Sequence, residues 1–345
     1  VSPELKGIKR FALFSTLCYH NGAGRDTNII VQPVSYIFQQ VMNDQKGQRC
    51  GVVCIVGRPS TGKSTLMNTL LGEKVAIVSP VPQTTRYQVR GVLTEKRGQI
   101  VFLDTPGIYL SRNKLGRHML SDIDSAIEGA DIIIHLVDAC ERLGREEGMI
   151  IEKLSGRKTP VILAMNKVDR KAAYMDGYIK EWEKALGKPV TETADRFVLM
   201  PVSGMTGINT DELVDVLFGL LPEAPLLYPP EVLTDFPQKL AIADIIREKF
   251  FLLLKDEIPH SLAVYVEETA QRRGKVMFIS AVVLVERDSQ KSIVIGKGGS
   301  VLKKAGETAR AELETLLDKK VFLQMHVKVR AGWQDDPYIL KDLGY

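Results

Sequence analysis

The sequence predicts an α/β domain with a mostly parallel sheet flanked by helices, followed by a smaller α+β domain. Three observations carry that expectation. Continuous apolar runs of five to seven residues recur between residues 51 and 201, separated for the most part by helical stretches. Such runs suit strands covered on both faces, as parallel strands are. Prolines 222, 225, 229, 230 and 237 then punctuate a stretch with neither helical nor strand period. Beyond it, helix and strand patterns return in a different order.

The first run, Gly51–Val56 (GVVCIV), ends in a glycine-rich turn and a helix from Lys63 to Leu71. Tyr87–Leu93 (YQVRGVL) alternates apolar and polar residues, as an edge strand does. Buried-type strands follow at Gln99–Leu103, Asp131–Val137, Pro160–Met165 and Arg196–Pro201. After the proline stretch, Leu240–Leu254 is apolar at helical spacing, and Ser261–Glu267 and Val276–Val285 read as strands. A short apolar strand, Ser292–Ile295 (SIVI), precedes a glycine turn at Gly296–Gly299. A polar helix over Gly306–Leu317 and a strand over Val321–Val329 complete the pattern. The expected units are an N-terminal extension, 1–49, poorly ordered; a first domain, 50–222; a linker, 223–238; and a second domain, 239–345.

With 345 residues, 45% hydrophobic and 26% charged, the chain is long enough for two domains and is not of disordered or fibrous type. A net charge of +4 is too mild to name a partner. Cys18, Cys50, Cys54 and Cys140 are too scattered for a disulfide framework, so free thiols and a reducing cytoplasm are expected. No stretch reaches the roughly 18–20 apolar residues of a membrane span. Phe11–Cys18 is short for a secretory signal and lacks a small-residue cleavage pattern. Met42 lies just before the first clear strand, so residues 1–41 read as an upstream extension, which mass spectrometry of the native N-terminus tests.

Gly57-Arg58-Pro59-Ser60-Thr61-Gly62-Lys63-Ser64 fits the phosphate-loop pattern G-x-x-x-x-G-K-[ST]. Glycines let the backbone curl so that its N–H groups face phosphate oxygens. The start of the following helix, through Thr65, adds positive potential. Lys63 is placed to reach the β- and γ-phosphates, and the Ser64 hydroxyl to bind Mg2+. Asn166-Lys167-Val168-Asp169 selects the base. It follows a strand, so it emerges at the sheet's C-terminal edge, where such folds bind ligands. Asp169 can accept hydrogen bonds from guanine N1–H and the 2-amino group; adenine has neither donor and would leave the carboxylate unpaired. Asn166 braces the neighbouring loops and the Lys167 stem lies along the ring. Ser203 and Gly204, after the next strand, are placed for a backbone N–H to meet guanine O6.

Asp104-Thr105-Pro106-Gly107 gains meaning from its place after the strand QIVFL. There Asp104 would hold Mg2+ through water, and the Gly107 N–H would meet the γ-phosphate. In Gln83-Thr84-Thr85-Arg86 a threonine can complete the metal shell while the γ-phosphate is present; Thr85 is favoured and Thr84 competes. Lys63, Thr85 and Gly107 are the expected catalytic set. Ile108 stands where many GTPases carry a water-positioning glutamine and cannot orient water. Slow intrinsic turnover follows, with the water placed by backbone, metal or a bound partner.

With these motifs in hand the chain resembles the Era family of bacterial GTPases, from about Cys50 to Tyr345. The likeness rests on GRPSTGKSTLMN, QTTR, FLDTPG, NKVD and PVSGMTG in order. It continues through DIIREK (Asp244–Lys249), LVER (Leu284–Arg287), VIGKGG (Val294–Gly299) and VKVRAGW (Val327–Trp333). The resemblance implies a Ras-like G domain, a P-loop NTPase fold, followed by a type II KH domain. It also implies cycling between GTP and GDP, binding to the 3′ end of 16S ribosomal RNA, and a part in small-subunit assembly on pre-30S particles. A monomer is expected, cytoplasmic and able to associate peripherally with the inner membrane. Ser60 stands where the family usually has Asn, which in related enzymes helps place a monovalent cation. A serine hydroxyl is shorter, so potassium dependence does not carry over with the resemblance.

Gly296-Lys297-Gly298-Gly299 is then the G-x-x-G loop that brings a KH backbone against a nucleotide strand. Alone the pattern is weak, since Gly204–Gly207 also fits it. Lys291, Lys297, Lys303 and Lys304 surround it with no acidic residue between Lys291 and Lys304, a face suited to phosphates. Arg272, Arg273 and Lys275 form a second basic cluster. Without the resemblance the same lysines read as a solvated helix face. Trp333 is suited equally to stacking on a base and to packing in the second domain. Ordering of the Thr85 loop by GTP and Mg2+ would favour a domain arrangement that presents the KH groove, although no residue in the sequence by itself carries that coupling. The competing function is an RNA-binding scaffold that keeps GTP as a structural ligand. A two-G-domain assembly GTPase fits less well with one phosphate loop and one NKVD.

Overall fold

The computed structural model describes residues 47–82, 84–108, 113–193, 196–272 and 276–345, the side chain of Arg272 excepted. The expected extension up to residue 46, Cys18, Gln83, Arg273 and Lys275 lie outside the described residues.

The apolar runs pair into a six-stranded sheet of β1 (Arg49–Val56), β2 (Val89–Glu95), β3 (Gly98–Asp104), β4 (Ile132–Asp138), β5 (Val161–Asn166) and β6 (Phe197–Pro201). Their order is β2-β3-β1-β4-β5-β6, and all pairs are parallel except β2 with β3. The alternating run is thus the antiparallel edge strand. One face is covered by α1 (Lys63–Leu71) and α5 (Thr210–Leu220), the other by α2 (Lys114–Glu128), α3 (Arg145–Ser155) and α4 (Met175–Leu186). Because β1, β4, β5 and β6 run parallel, the loops that follow them share one edge, and the site assembles there.

β1 takes in Arg49, which was expected in the extension; Arg49 pairs with Gly98 and bridges to Glu223. The linker is fixed along the first domain rather than hanging between the two. Ala224 N–H donates to the Gln48 carbonyl, Leu227 and Tyr228 N–H to Gln99 Oε1, and Val92 N–H to the Leu233 carbonyl.

The second domain contains α6 (Gln238–Leu253), α7 (Ile258–Ser261), β7 (Ala263–Arg272), β8 (Val276–Val285), α8 (Asp288–Ile295), α9 (Ser300–Leu317), β9 (Lys320–Val329) and α10 (Pro337–Asp342). In the order β7-β8-β9, β7 is antiparallel and β9 parallel to β8. One sheet face packs on α6 and α9 through residues such as Ile279, Ala281, Val283, Ile246 and Leu313. The other closes over Trp333, Leu340 and Leu343 and reaches Leu115 and Met119 of α2.

Two expectations are corrected here. Ser292–Ile295 is the last turn of helix α8, not a strand. A four-residue apolar run has no period of its own to decide the matter. Gln290 fixes the helix start by accepting from the Glu286 and Arg287 N–H groups. Helix α9 begins at Ser300, six residues before Gly306; that glycine lies inside the helix, where a Cβ would sit 2.9 Å from Met325 Cε.

Candidate nucleotide site and nucleic-acid interface

The glycine-rich loop after β1 turns by way of two left-handed residues, Ser60 (φ 64°) and Gly62 (φ 95°). A side chain at Gly62 would strike Asn166 Nδ2 at 2.5 Å, so glycine is required for space as well as backbone angle. Lys63 Nζ donates to the carbonyls of Gly57 (3.1 Å) and Arg58 (2.9 Å). Burial lowers the Lys63 ammonium to about 8, with Asp104 opposing the shift. The Thr61 hydroxyl donates to the Arg58 carbonyl. Arg58 pairs with Glu141 and, at 2.8 Å, with buried Glu147. Neither acid was picked out by motif, since their role depends on where the start of α3 lands. Pro59, Ser60, Lys63, Ser64, Thr65 and Gly107 line a cleft together with Ile77, Val78, Ser79, Val81, Thr84 and Thr85.

Three oxygen-bearing side chains meet beside Lys63. Ser64 Oγ donates to Asp104 Oδ2 at 2.5 Å and lies 2.8 Å from Thr85 Oγ1. Thr84 instead turns away, its hydroxyl donating to the Val81 carbonyl. Asp104 is wholly buried and its Oδ1 has no hydrogen-bond partner among the described residues. Burial pushes this carboxyl up to about 6, against the opposing effects of Ser64, Lys63 and Thr85. A buried, unpaired carboxylate oxygen among hydroxyls is a donor set suited to a hard, oxygen-seeking divalent cation. Thr105 faces the sheet, donating to the Ile55 carbonyl. Pro106 leads to Gly107, whose close fit against Pro59 leaves no room for a Cβ. Ile108 N–H donates to the Gly57 carbonyl and its side chain packs in the core with Val56 and Ile123.

At the other end of the edge, Asn166 Nδ2 donates to the Thr61 carbonyl (2.7 Å) while its Oδ1 accepts from Gly204 N–H (2.9 Å). It ties the phosphate loop to the loop after β6. Lys167, at φ 67°, spans Ser60 O and Asp138 Oδ2. Asp138, at the C-terminal end of β4, was missed; an Asp closing a strand that is apolar but for His135 is the signal that could have found it. Val168 N–H donates to the Val202 carbonyl, and Asp169 Oδ1 accepts from Ser203 Oγ at 2.6 Å. The amides of Gly204 and Ser203, expected to face a base, donate here to Asn166 Oδ1 and to the Ile208 carbonyl.

In the second domain Gly296–Gly299 joins α8 to α9, with positive φ at Gly296, Gly298 and Gly299. A Cβ at Gly298 or Gly299 would meet nothing within 4 Å, so those glycines serve backbone angle and open approach. Lys297, Lys303 and Lys304 are exposed on the loop and the first turns of α9. Trp333 is fully buried and donates to the Ser261 carbonyl, which settles it as a packing residue.

Known proteins match this architecture. Residues 52–167 match the family model described as 50S ribosome-binding GTPase, and residues 257–334 that of the KH domain. GTPase Era of a Geobacter species is 44% identical over 310 residues, covering 87% of this chain and 99% of the relative. A crystal structure of Era in complex with MgGDPNP and nucleotides 1506–1542 of 16S ribosomal RNA superposes with a TM-score of 0.80 at 37% identity, covering 86% of this chain and 99% of that one. A tyrosine-to-alanine variant of Aquifex aeolicus Era bound to GDP and aluminium fluoride gives 0.79 at 36% identity, with the same coverage.

Proposed function

The chain belongs to the Era family of GTPases, and on that premise we propose a GTP-hydrolysing switch that binds the 3′-end region of 16S ribosomal RNA through its KH domain and acts in small-subunit assembly. The observation that carries the nucleotide half is the cluster of Ser64, Thr85 and Asp104 beside Lys63, with an unpaired buried oxygen on Asp104. Mg2+, when bound there, supplies positive charge to the β- and γ-phosphate oxygens. Gly57 to Thr65, Pro59 excepted, offer backbone N–H groups and the start of α1 to the phosphates, and Lys63 moves from loop carbonyls to phosphate oxygens. Thr85 closes the cleft and Gly107 brings its N–H to the γ-phosphate. Asp169 takes guanine N1–H and the 2-amino group, Lys167 lies along the base, and a backbone N–H of the Ser203–Gly204 turn meets O6. Ile108 packs into the core and cannot place the attacking water, so intrinsic turnover is slow.

Gly296–Gly299 with Lys297, Lys303 and Lys304 forms the RNA-facing side, held open by the glycine backbone and carrying positive charge. The reading places the protein in the cytoplasm, on pre-30S particles. No helix of the described residues is long and apolar enough to cross a membrane, so contact with the inner membrane would be peripheral.

Equilibrium binding tests this. GTP should compete with a fluorescent guanine nucleotide about a hundredfold better than ATP, and Asp169→Asn should weaken GTP by about ten- to a hundredfold. An oligoribonucleotide of the 16S 3′ segment should bind the wild type and bind the Lys297→Glu/Lys303→Glu variant far more weakly. Equal affinity for GTP and ATP would overturn the guanine assignment; equal RNA binding by the variant would overturn the RNA assignment.

A further inference from the structure

The Asp244–Lys249 stretch (DIIREK) is absorbed by neither the nucleotide site nor the RNA loop. It lies in α6, where Asp244, Arg247 and Glu248 are all buried. Charged side chains stay buried only with fixed partners, and several of these partners belong to the nucleotide-binding domain. Arg247 Nη2 donates to the Thr84 carbonyl at 2.9 Å and pairs with Asp244 at 2.8 Å. Its guanidinium also sits over the Tyr87 ring, 5.7 Å from the centroid. Glu248 accepts from Val78 N–H and from Lys74 Nζ, each at 2.9 Å.

The residues on the other side of Thr85 are held as firmly. Arg86 is buried in the KH domain, donating to the carbonyls of Leu262 (2.8 Å) and His260 (3.0 Å). The Tyr87 hydroxyl donates to the Leu343 carbonyl. Thr85, the residue that meets Ser64 in the metal cluster, therefore sits between two neighbours anchored in the other domain, each one peptide, about 3.8 Å, away. The contacts also continue outward. Lys74 and Lys249 both pair with Glu312 on α9, the helix that starts directly after the G-x-x-G loop.

We propose that Arg247 and Glu248 are positioning residues for Thr85, and that the Lys74–Glu248–Glu312 link carries the state of the Thr85 loop to the RNA-binding helix. This rests on the GTPase and RNA reading above. Thr85 cannot withdraw from the metal cluster by more than a small distance without pulling the Thr84 carbonyl from Arg247 or moving α6 with it. A GTP-loaded and a GDP-loaded cleft then make different contacts with the KH domain, which is what coupling between sites requires. By reciprocity, RNA raises the preference for GTP over GDP by the factor by which GTP raises RNA affinity.

The test uses the full chain, a fluorescent GDP, a non-hydrolysable GTP analogue with Mg2+, and the 16S 3′-segment oligonucleotide. The ratio of RNA affinities in the two nucleotide states is measured for wild type, Arg247→Lys and Lys74→Ala. Lysine keeps the charge but not the fork that reaches Asp244 and Thr84 together. Lys74 is 44% exposed, so its loss leaves the fold intact even if Arg247→Lys does not fold. The wild-type ratio should be about fivefold or more, in the range usual for coupled sites, and fall towards one in the variants, with GDP affinity kept. A merely structural role would lower thermal stability and leave the ratio unchanged. Variants that fold and keep the wild-type ratio overturn the linkage alone. A wild-type ratio of one overturns it together with the switch reading on which it rests.

Discussion

A Cβ placed on Gly107 would fall 2.6 Å from Pro59 N and 2.7 Å from Pro59 Cα, both backbone neighbours that cannot swing aside. Gly107→Ala must therefore push the loop after β3 away from the phosphate loop. Overpacking of this kind costs about 1–3 kcal/mol. The expected outcome is a folded protein that still binds GDP but loses at least about tenfold in kcat/KM for GTP, roughly 1.4 kcal/mol of transition-state binding. Wild-type turnover in that variant would show that Gly107 does not face the γ-phosphate. At this scale the phosphate loop, the Asp104 run and the NKVD run were legible because each is a contiguous motif whose spacing is set by its ligand. The partners of the Ser203 and Gly204 amides, Ile208 and Asn166, were not legible, because no local pattern reveals them. Glu141 and Glu147 went unnoticed for the same reason, since their partner Arg58 is brought to them by the fold; Asp138, the partner of Lys167, carried a local signal at the end of β4 that went unread.

Within the elements, β4 and α4 bury an imidazole that the nucleotide chemistry does not use. Trp182 Nε1–H donates to His135 Nδ1 at 3.2 Å, and burial lowers His135 from 6.5 to about 3. Between those values the unfolded chain takes up a proton that the folded chain refuses, so stability falls as pH drops from 6.5 towards 3. The slope is about 1.4 kcal/mol per pH unit. His135→Gln should flatten this acid limb by about 2 kcal/mol at pH 5 relative to its own value at pH 7. Urea unfolding followed by Trp182 fluorescence measures it; parallel pH profiles for variant and wild type would contradict the assignment. Strands β1 and β3 to β6 were readable because continuous apolar runs of that length have few other uses. Helix α8 was not, because four apolar residues fit a strand or a helix turn, and the start that decides it is set by Gln290.

Across the whole molecule, the two domains share a buried polar seam. The linker prolines announced a boundary, yet they say nothing of how closely the domains meet. Arg86 and Tyr87 read in sequence as the end of a loop and the start of an edge strand; folded, they are inserted among carbonyls and rings of the KH domain. Asn113 and Lys114 at the start of α2 likewise bond to Gln334 and Asp335. Both segments that flank the Ser64, Thr85 and Asp104 cluster thus touch the KH domain. Pairings across more than 150 residues are decided by tertiary docking, and a single sequence carries no trace of them. The measurement that tests the central claim most directly is multiple-turnover phosphate release from GTP with Mg2+, with and without the 16S 3′-segment RNA. The account predicts slow release from GTP alone, several-fold faster release with RNA, and no RNA effect in the Lys297→Glu/Lys303→Glu variant. An identical rate with and without RNA, or no turnover beyond one GTP per protein, would contradict it.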